Sequence, residues 1–370
     1  MSGTRAGQPL SVVLAGGGSA GHVSPLLALA DALVRRDPST RITALGTAHG
    51  LEARLVPERG YRLVTIPKVP LPRRPGMDLL RVPGLLRGAV DAAAAAIAAA
   101  DADVVVGMGG YVSPPAYLAA RRLRVPLVVH EQNTRPGVAN RLGARLTRHV
   151  AVTFASTRLP NAVRVGMPLR REISSLDRSG QRPAARSHFA LGADTLTLVV
   201  TGGSLGAQKL NHTMLACAGD LRAAGVSVLH LTGAGKAAVP PPAPGPPYVV
   251  REYTDRMELA YAAADLVLCR AGASTVCELT TVGLPAVYVP LPIGNGEQRL
   301  NAQPVVAAGG GLLVDDGDLT PDWFRANVLP LLQDGPRLAE MGRAAAGTAV
   351  LDADERLADM VLVAAGRGRA

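Results

Sequence analysis

Short apolar runs recur along the chain, and each opens onto glycine. Leu10-Ser-Val-Val-Leu-Ala15 leads into Gly16-Gly-Gly-Ser-Ala-Gly21. From His22 apolar residues recur at helical spacing through Leu33, with Pro25 in the first turn. The pattern predicts a buried strand, a glycine loop and a helix. The second half repeats it with Thr195-Leu-Thr-Leu-Val-Val200, Thr201-Gly-Gly-Ser-Leu-Gly206 and a helical pattern from Ala207. Further strands are expected at Val104–Val106 before Gly107-Met-Gly-Gly110, at Val125–Val129 before His130-Glu-Gln-Asn133, and at Val226–Leu231, Leu266–Leu268 and Ala286–Val289. Such alternation predicts an α/β protein with doubly wound parallel sheets. Polar residues 174–187 are expected to form a surface loop, and Pro240–Pro247 a stiff exposed connector.

Length divides this pattern in two. With 370 residues the chain exceeds one ordinary domain, and its 48% hydrophobic content supports two cores. A linker is expected near Gly166-Met-Pro168, giving domains over 1–165 and 166–348 and a final helical segment over 349–370. Cys217, Cys269 and Cys277 are too few and wrongly spaced for a disulfide framework or a CxxC zinc site, which fits a reducing compartment. The charge-free stretch 104–120 is broken by Gly109-Gly110 and Pro114-Pro115, short of the roughly 20 apolar residues of a spanning helix. Residues 10–15 are too short for a signal-peptide core, so a cytoplasmic protein is expected.

Charge separates the halves. Residues 1–163 hold 20 Lys and Arg against 9 Asp and Glu, whereas the remainder holds 19 against 20. A basic half beside a neutral one points to an anionic surface. Only 3% of residues are aromatic and no nucleic-acid motif occurs, which leaves an anionic membrane face as the better candidate and argues against nucleic acid.

The glycine loops bear on chemistry because glycine lets backbone N–H groups approach a phosphate at a helix N-terminus. Gly16-x-Gly18-x-x-Gly21 has dinucleotide spacing, but the strand Arg41–His49 ends without the acid that would receive a ribose 2′-hydroxyl. A nicotinamide cofactor is therefore not expected. GxxxxGK[ST] and HExxH are absent. Gly272-Ala-Ser-Thr-Val-Cys-Glu278 puts a carboxylate about one turn into a helix beside a small-residue loop. There it either complements the helix dipole or accepts from a ribose diol, with Ala273, Ser274 and Thr275 offering N–H and O–H groups to phosphate. Gly202-Gly-Ser204, one domain-width upstream, favours the nucleotide.

Taken together, the Gly16–His22 loop, Gly107-Met-Gly-Gly-Tyr-Val-Ser113, His130-Glu-Gln-Asn133, Gly202-Gly-Ser-Leu-Gly-Ala207, and Cys269–Glu278 with Gln298 and Asn301 resemble glycosyltransferase family 28. Within it they are most similar to the bacterial peptidoglycan N-acetylglucosaminyltransferases. The resemblance implies a GT-B fold, two Rossmann-like domains facing across a cleft, with the last helix crossing back to the first domain. It implies inverting transfer of N-acetylglucosamine from UDP-N-acetylglucosamine to the C4 hydroxyl of lipid I, an undecaprenyl-diphosphate acceptor, at the cytoplasmic membrane face. Another family 28 transferase with a different lipid or natural-product acceptor is the alternative. No cofactor and no metal are implied.

Carried over residue by residue, the resemblance assigns Glu278 to the ribose and Ala273, Ser274, Thr275, Val276 and Cys277 to the nucleotide lining. It assigns Ser204 and Arg170 to the diphosphate, Thr254 to uracil, and Gln298 and Asn301 to the sugar hydroxyls. Ser19, Ala20, Gly21 and Asn133 border the donor from the first domain, and Gly109, Gly110 and Tyr111 lie on the acceptor side. His22 is a candidate general base or a positioning residue, and Glu131 the competing base. Three positions depart from the family pattern: Ser19 stands where Thr is usual, Met167 where Asn is usual, and Leu205 where Gln is frequent. Leu71–Arg87 mixes leucines with Arg73, Arg74, Arg81 and Arg87, as a segment dipping into an anionic interface would, or as a Pro-rich connection packing its leucines would.

Overall fold

The computed structural model describes residues 8–69, 82–203 and 206–368. The chain divides into two compact units, one of residues 1–170 with 352–370 and one of residues 171–351.

The first unit runs β1 (Ser11–Gly16), α1 (Ala20–Arg36), β2 (Arg41–Gly46), α2 (Glu52–Glu58), β3 (Arg62–Thr65), α3 (Val82–Ala99), β4 (Val104–Gly109), α4 (Ser113–Leu123), β5 (Leu127–Glu131), α5 (Val138–Gly143), β6 (His149–Val152) and β7 (Ala162–Arg164). The second follows with α6 (Arg171–Ser174), α7 (Arg178–His188), β8 (Leu196–Thr201), α8 (Gln208–Ala216), α9 (Ala218–Ala223), β9 (Val226–Leu231), β10 (Tyr248–Arg251), α10 (Met257–Ala263), β11 (Leu266–Cys269), α11 (Ala273–Thr281), β12 (Ala286–Tyr288), α12 (Glu297–Ala307), β13 (Gly311–Leu313), α13 (Pro321–Asn327), α14 (Leu329–Gln333) and α15 (Gly335–Ala346). The last helix, α16 (Ala353–Ala364), belongs to the first unit.

Both sheets are parallel throughout, ordered β3-β2-β1-β4-β5-β6-β7 and β10-β9-β8-β11-β12-β13. The order reverses beside β1 in the first unit and beside β8 in the second, so β1/β4 and β8/β11 are the switch points where α/β sheets bind ligands at their carboxyl ends. The apolar strands are buried on both faces. Val12 and Leu14 pack with α1 and α16, while Val13 and Ala15 face Ile97 of α3 and Tyr117 of α4. Helix α16 buries Leu357, Ala358 and Val361 in this core, and Asp354, Glu355 and Asp359 pair with Arg35 and Arg36 at the end of α1.

Residues 174–187 differ from the expected surface loop. They contain α7, whose first turn is capped by Asp177 accepting from the Gly180 amide. Its polar composition hides a buried face made by arginine. Arg178 donates to the carbonyls of Tyr261, Gly283 and Ala264, and Arg186 pairs with Asp265. Hydropathy cannot register a helix that docks through guanidinium groups.

Candidate active site

In the first unit the site residues gather at the carboxyl ends of β1, β4 and β5. Beyond β1 the chain turns at Gly18, whose φ of +87° favours glycine, and α1 starts at Ala20. Ser19 occupies the N-cap, yet its hydroxyl does not cap the helix. It lies 2.8 Å from His22 Nδ1 instead, fixing the ring. Ser19 and Ala20 are exposed, and Gly21 and His22 half-buried. Burial lowers the His22 pKa below its ordinary value against a smaller upward pull from the Glu52 carboxylate. The imidazole is therefore neutral near pH 7 and able to accept a proton.

Gly109 and Gly110 also take positive φ, +90° and +81°. A Cβ on Gly110 would lie 2.5 Å from the Gly17 carbonyl, and one on Gly109 would lie 3.1 Å from His22 Nε2, so the two glycine loops pack directly on each other. Tyr111 is 43% exposed, with Lys68 Nζ 4.9 Å from its ring centre.

The His130–Asn133 motif divides its roles. His130 is buried between the Gly166 carbonyl at Nε2 (2.9 Å) and Gln132 Nε2 at Nδ1 (3.0 Å), and burial pushes its pKa down to about 4. It ties β5 to the chain leaving the first unit. Glu131 is buried and accepts from the amides of Asn133 and Gly137 and from Asn140 Nδ2. Burial outweighs these bonds and raises its pKa. Both its oxygens are committed to shaping the 131–140 turn, which holds Asn133 half-buried at the strand end. Arg170, half-buried, ends this part of the unit.

In the second unit α11 follows β11 through Gly272, an N-cap without a side-chain cap, and its first turn carries no acid. Its N–H groups thus meet no anion of the helix's own. The Ser274 hydroxyl is buried without a hydrogen-bond partner among the described residues. Ala273 and Val276 are buried, and Thr275, Cys277 and Glu278 half-buried. Tyr261 of α10 donates its hydroxyl to Glu278 Oε2 at 2.7 Å, orienting the carboxylate. Thr254, in the turn after β10, accepts from the Arg256 amide. Gln298 accepts from the Leu291 amide, orienting the start of α12.

Asn301, assigned to the sugar through the resemblance, follows on α12. It is 0% exposed, and its Nδ2 lies 3.4 Å from the Ala271 carbonyl, so it supports the loop before α11 from behind. Ser204 and Leu205 lie outside the described residues, as does most of the Leu71–Arg87 segment. Among the described residues no three His, Cys, Asp or Glu side chains converge as a metal would need.

Sequence reasoning missed Glu52, Asn140 and Tyr261. Tyr261 and Asn140 reach the site only through the tertiary fold. Glu52 had a local signal, the glycines at 46 and 50 around it.

Comparison with known proteins fits this geometry. The glycosyltransferase family 28 N-terminal domain matches residues 12–152, and the family 28 C-terminal domain matches residues 197–357. The chain belongs to glycosyltransferase family 28. It is 58% identical over 97% of its length, and all of the relative's, to the UDP-N-acetylglucosamine–N-acetylmuramyl-(pentapeptide) pyrophosphoryl-undecaprenol N-acetylglucosamine transferase of Streptomyces coelicolor. The enzyme of that name from Mycolicibacterium smegmatis is 55% identical over 97% of this chain and 95% of its own. Among solved structures, Acinetobacter baumannii MurG aligns with a TM-score of 0.76 at 28% identity, covering 96% of this chain and all of that one. The family's two-domain, parallel-sheet architecture is the one observed, and the chain is a glycosyltransferase.

Proposed function

We propose that the protein transfers N-acetylglucosamine from UDP-N-acetylglucosamine to the C4 hydroxyl of lipid I, forming lipid II with inversion at the sugar's anomeric carbon. The likeness to the Streptomyces coelicolor transferase across 97% of the chain carries this reading. The geometry supplies the parts. In the second unit, the uncapped start of α11 and the unpartnered Ser274 hydroxyl suit a diphosphate, and Glu278, oriented by Tyr261, suits a ribose diol. Arg170 and Ser204 are assigned to the same diphosphate through the family pattern.

His22 fits the base better than Glu131. Its Nδ1 is held by Ser19, which leaves Nε2 to take the acceptor's proton, whereas both Glu131 oxygens are occupied. In the transfer, the C4 oxygen forms its bond to the anomeric carbon as its proton passes to His22. The bond from that carbon to the diphosphate breaks, and UDP leaves with the electron pair. Helix N–H groups and Arg170 stabilise that charge.

We further propose that the first unit docks on an anionic membrane surface. No helix among the described residues is long and apolar enough to cross a membrane. Helices α3 and α4 line an open groove with Leu86, Val90, Ala94 and Leu118 beside Arg87 and Arg122. At the end of α4, Arg121 and Arg124 border a second groove with Arg148, and no carboxylate pairs with these three among the described residues. Incubation with labelled UDP-N-acetylglucosamine and a short-chain lipid I analogue tests the transfer. Label is expected in the acceptor, and folded protein that leaves the acceptor unlabelled overturns the reading.

A further inference from the structure

Three glycines of the first unit surround one carboxylate. A Cβ on Gly17, Gly46 or Gly50 would overlap the Glu52 side chain. Glu52 opens α2, six residues beyond the end of β2, and is 0% exposed. Its Oε2 accepts from the Gly18 amide at 2.9 Å, and its Oε1 from the Thr47 amide and hydroxyl, each at 2.9 Å. No cationic side chain pairs with it among the described residues. A buried charge without a counter-ion is costly, and this one is tolerated because N–H and O–H groups converge on it. Burial alone would raise its pKa, but these bonds outweigh burial and hold it low, so it is ionised.

The contacts run to His22. Gly18, gripped by Glu52, precedes Ser19, and the Ser19 hydroxyl holds the His22 ring. From β4 the ring meets the Gly109 backbone, and from α5 the Asn140 amide approaches the same point, both uncharged. Glu52 is the carboxylate whose charge acts on the imidazole.

We propose that Glu52 is a positioning residue for the transfer: it fixes the Gly17–Ser19 turn that orients His22, and its buried negative charge stabilises the imidazolium formed as His22 takes the acceptor's proton. This rests on His22 being the base.

The Glu52→Gln variant of the full chain keeps the side chain's reach and loses the charge. Its kcat is expected to fall by roughly tenfold or more, part of the ~10²–10⁴ that general-base catalysis supplies. UDP affinity should stay within about twofold, because Glu278 and the start of α11, assigned to the nucleotide, lie in the other unit. In protein with isotope-labelled histidine, assigned by a His22→Gln variant, the His22 titration midpoint should move to lower pH. The sign follows from losing an anion that favours the charged ring.

Folded, UDP-binding Glu52→Gln protein with wild-type kcat and an unmoved midpoint overturns the proposal. If that variant does not bind UDP, Thr47→Val reports instead: it strips one donor from the carboxylate and should lower kcat by about threefold, the loss of one ordinary hydrogen bond, and an unchanged kcat there is equally fatal. The base assignment fails separately. His22→Gln with near wild-type turnover removes it, and the charge role of Glu52 with it. If His22→Gln abolishes turnover, adding Glu52→Gln to it should cost nothing more, and a fully additive double variant means Glu52 acts elsewhere.

Discussion

The two switch points begin alike and end as electrostatic opposites. Each has an apolar strand, a glycine turn and a helix. In the first unit the turn contains its own anion: Glu52 sits beneath Gly17 and Gly18 and takes the Gly18 amide. In the second, the amide of Gly203 turns to the Thr201 hydroxyl, and the start of α11 has neither a side-chain cap nor an acidic first turn. A glycine loop by itself therefore says little about phosphate. The neighbouring charge matters as well, because a carboxylate beneath a loop disfavours a phosphate there. Net charge differs too: the second half is near neutral, whereas the first is strongly basic yet keeps a buried carboxylate under its loop.

Three variants press on this contrast. The largest effect is expected from His22→Gln, which should lower kcat by about 10²–10⁴ with donor KM nearly unchanged. In the wild type, kcat/KM should fall as pH drops through the His22 pKa, because the ring must be neutral to accept the proton. Burial sets that pKa below 6.5, so the acid limb should lie below pH 6.5. An acid limb retained by His22→Gln would assign it to another group.

Replacing Arg121, Arg124 and Arg148 together with serine should weaken binding to anionic vesicles by about a hundredfold at low salt, at ~1 kcal/mol for each arginine near the surface. Unaltered sedimentation with vesicles would move the docking surface elsewhere. The smallest of the three tests the loops directly. Ser274→Glu gives the second loop the anion that the first already has, and should weaken UDP binding by about tenfold, the scale of one lost or opposed charge-assisted bond. Calorimetry showing unchanged affinity would mean that α11's start does not meet the diphosphate.

Much of this was written locally. The strand runs, the glycine turns and the Gly272–Glu278 element follow from neighbouring residues, because a parallel sheet buried on both faces demands continuous apolar strands and turns that admit positive φ. The paired openings of β1 and β8 and the family motifs were legible for the same reason. The charge state of each loop was not. The partners of Gly18, Glu278 and the Ala271 carbonyl are 34, 17 and 30 residues away, and they meet only because strand order brings β1 beside β2 and β11 beside the helices that flank it. Helix α7 shows the same limit, its arginines finding carbonyls about 83 to 105 residues on. Hydropathy and spacing register neighbours along a chain. A hydrogen bond to a buried charge depends on distance in space, and that is set when the sheets form and the helices pack.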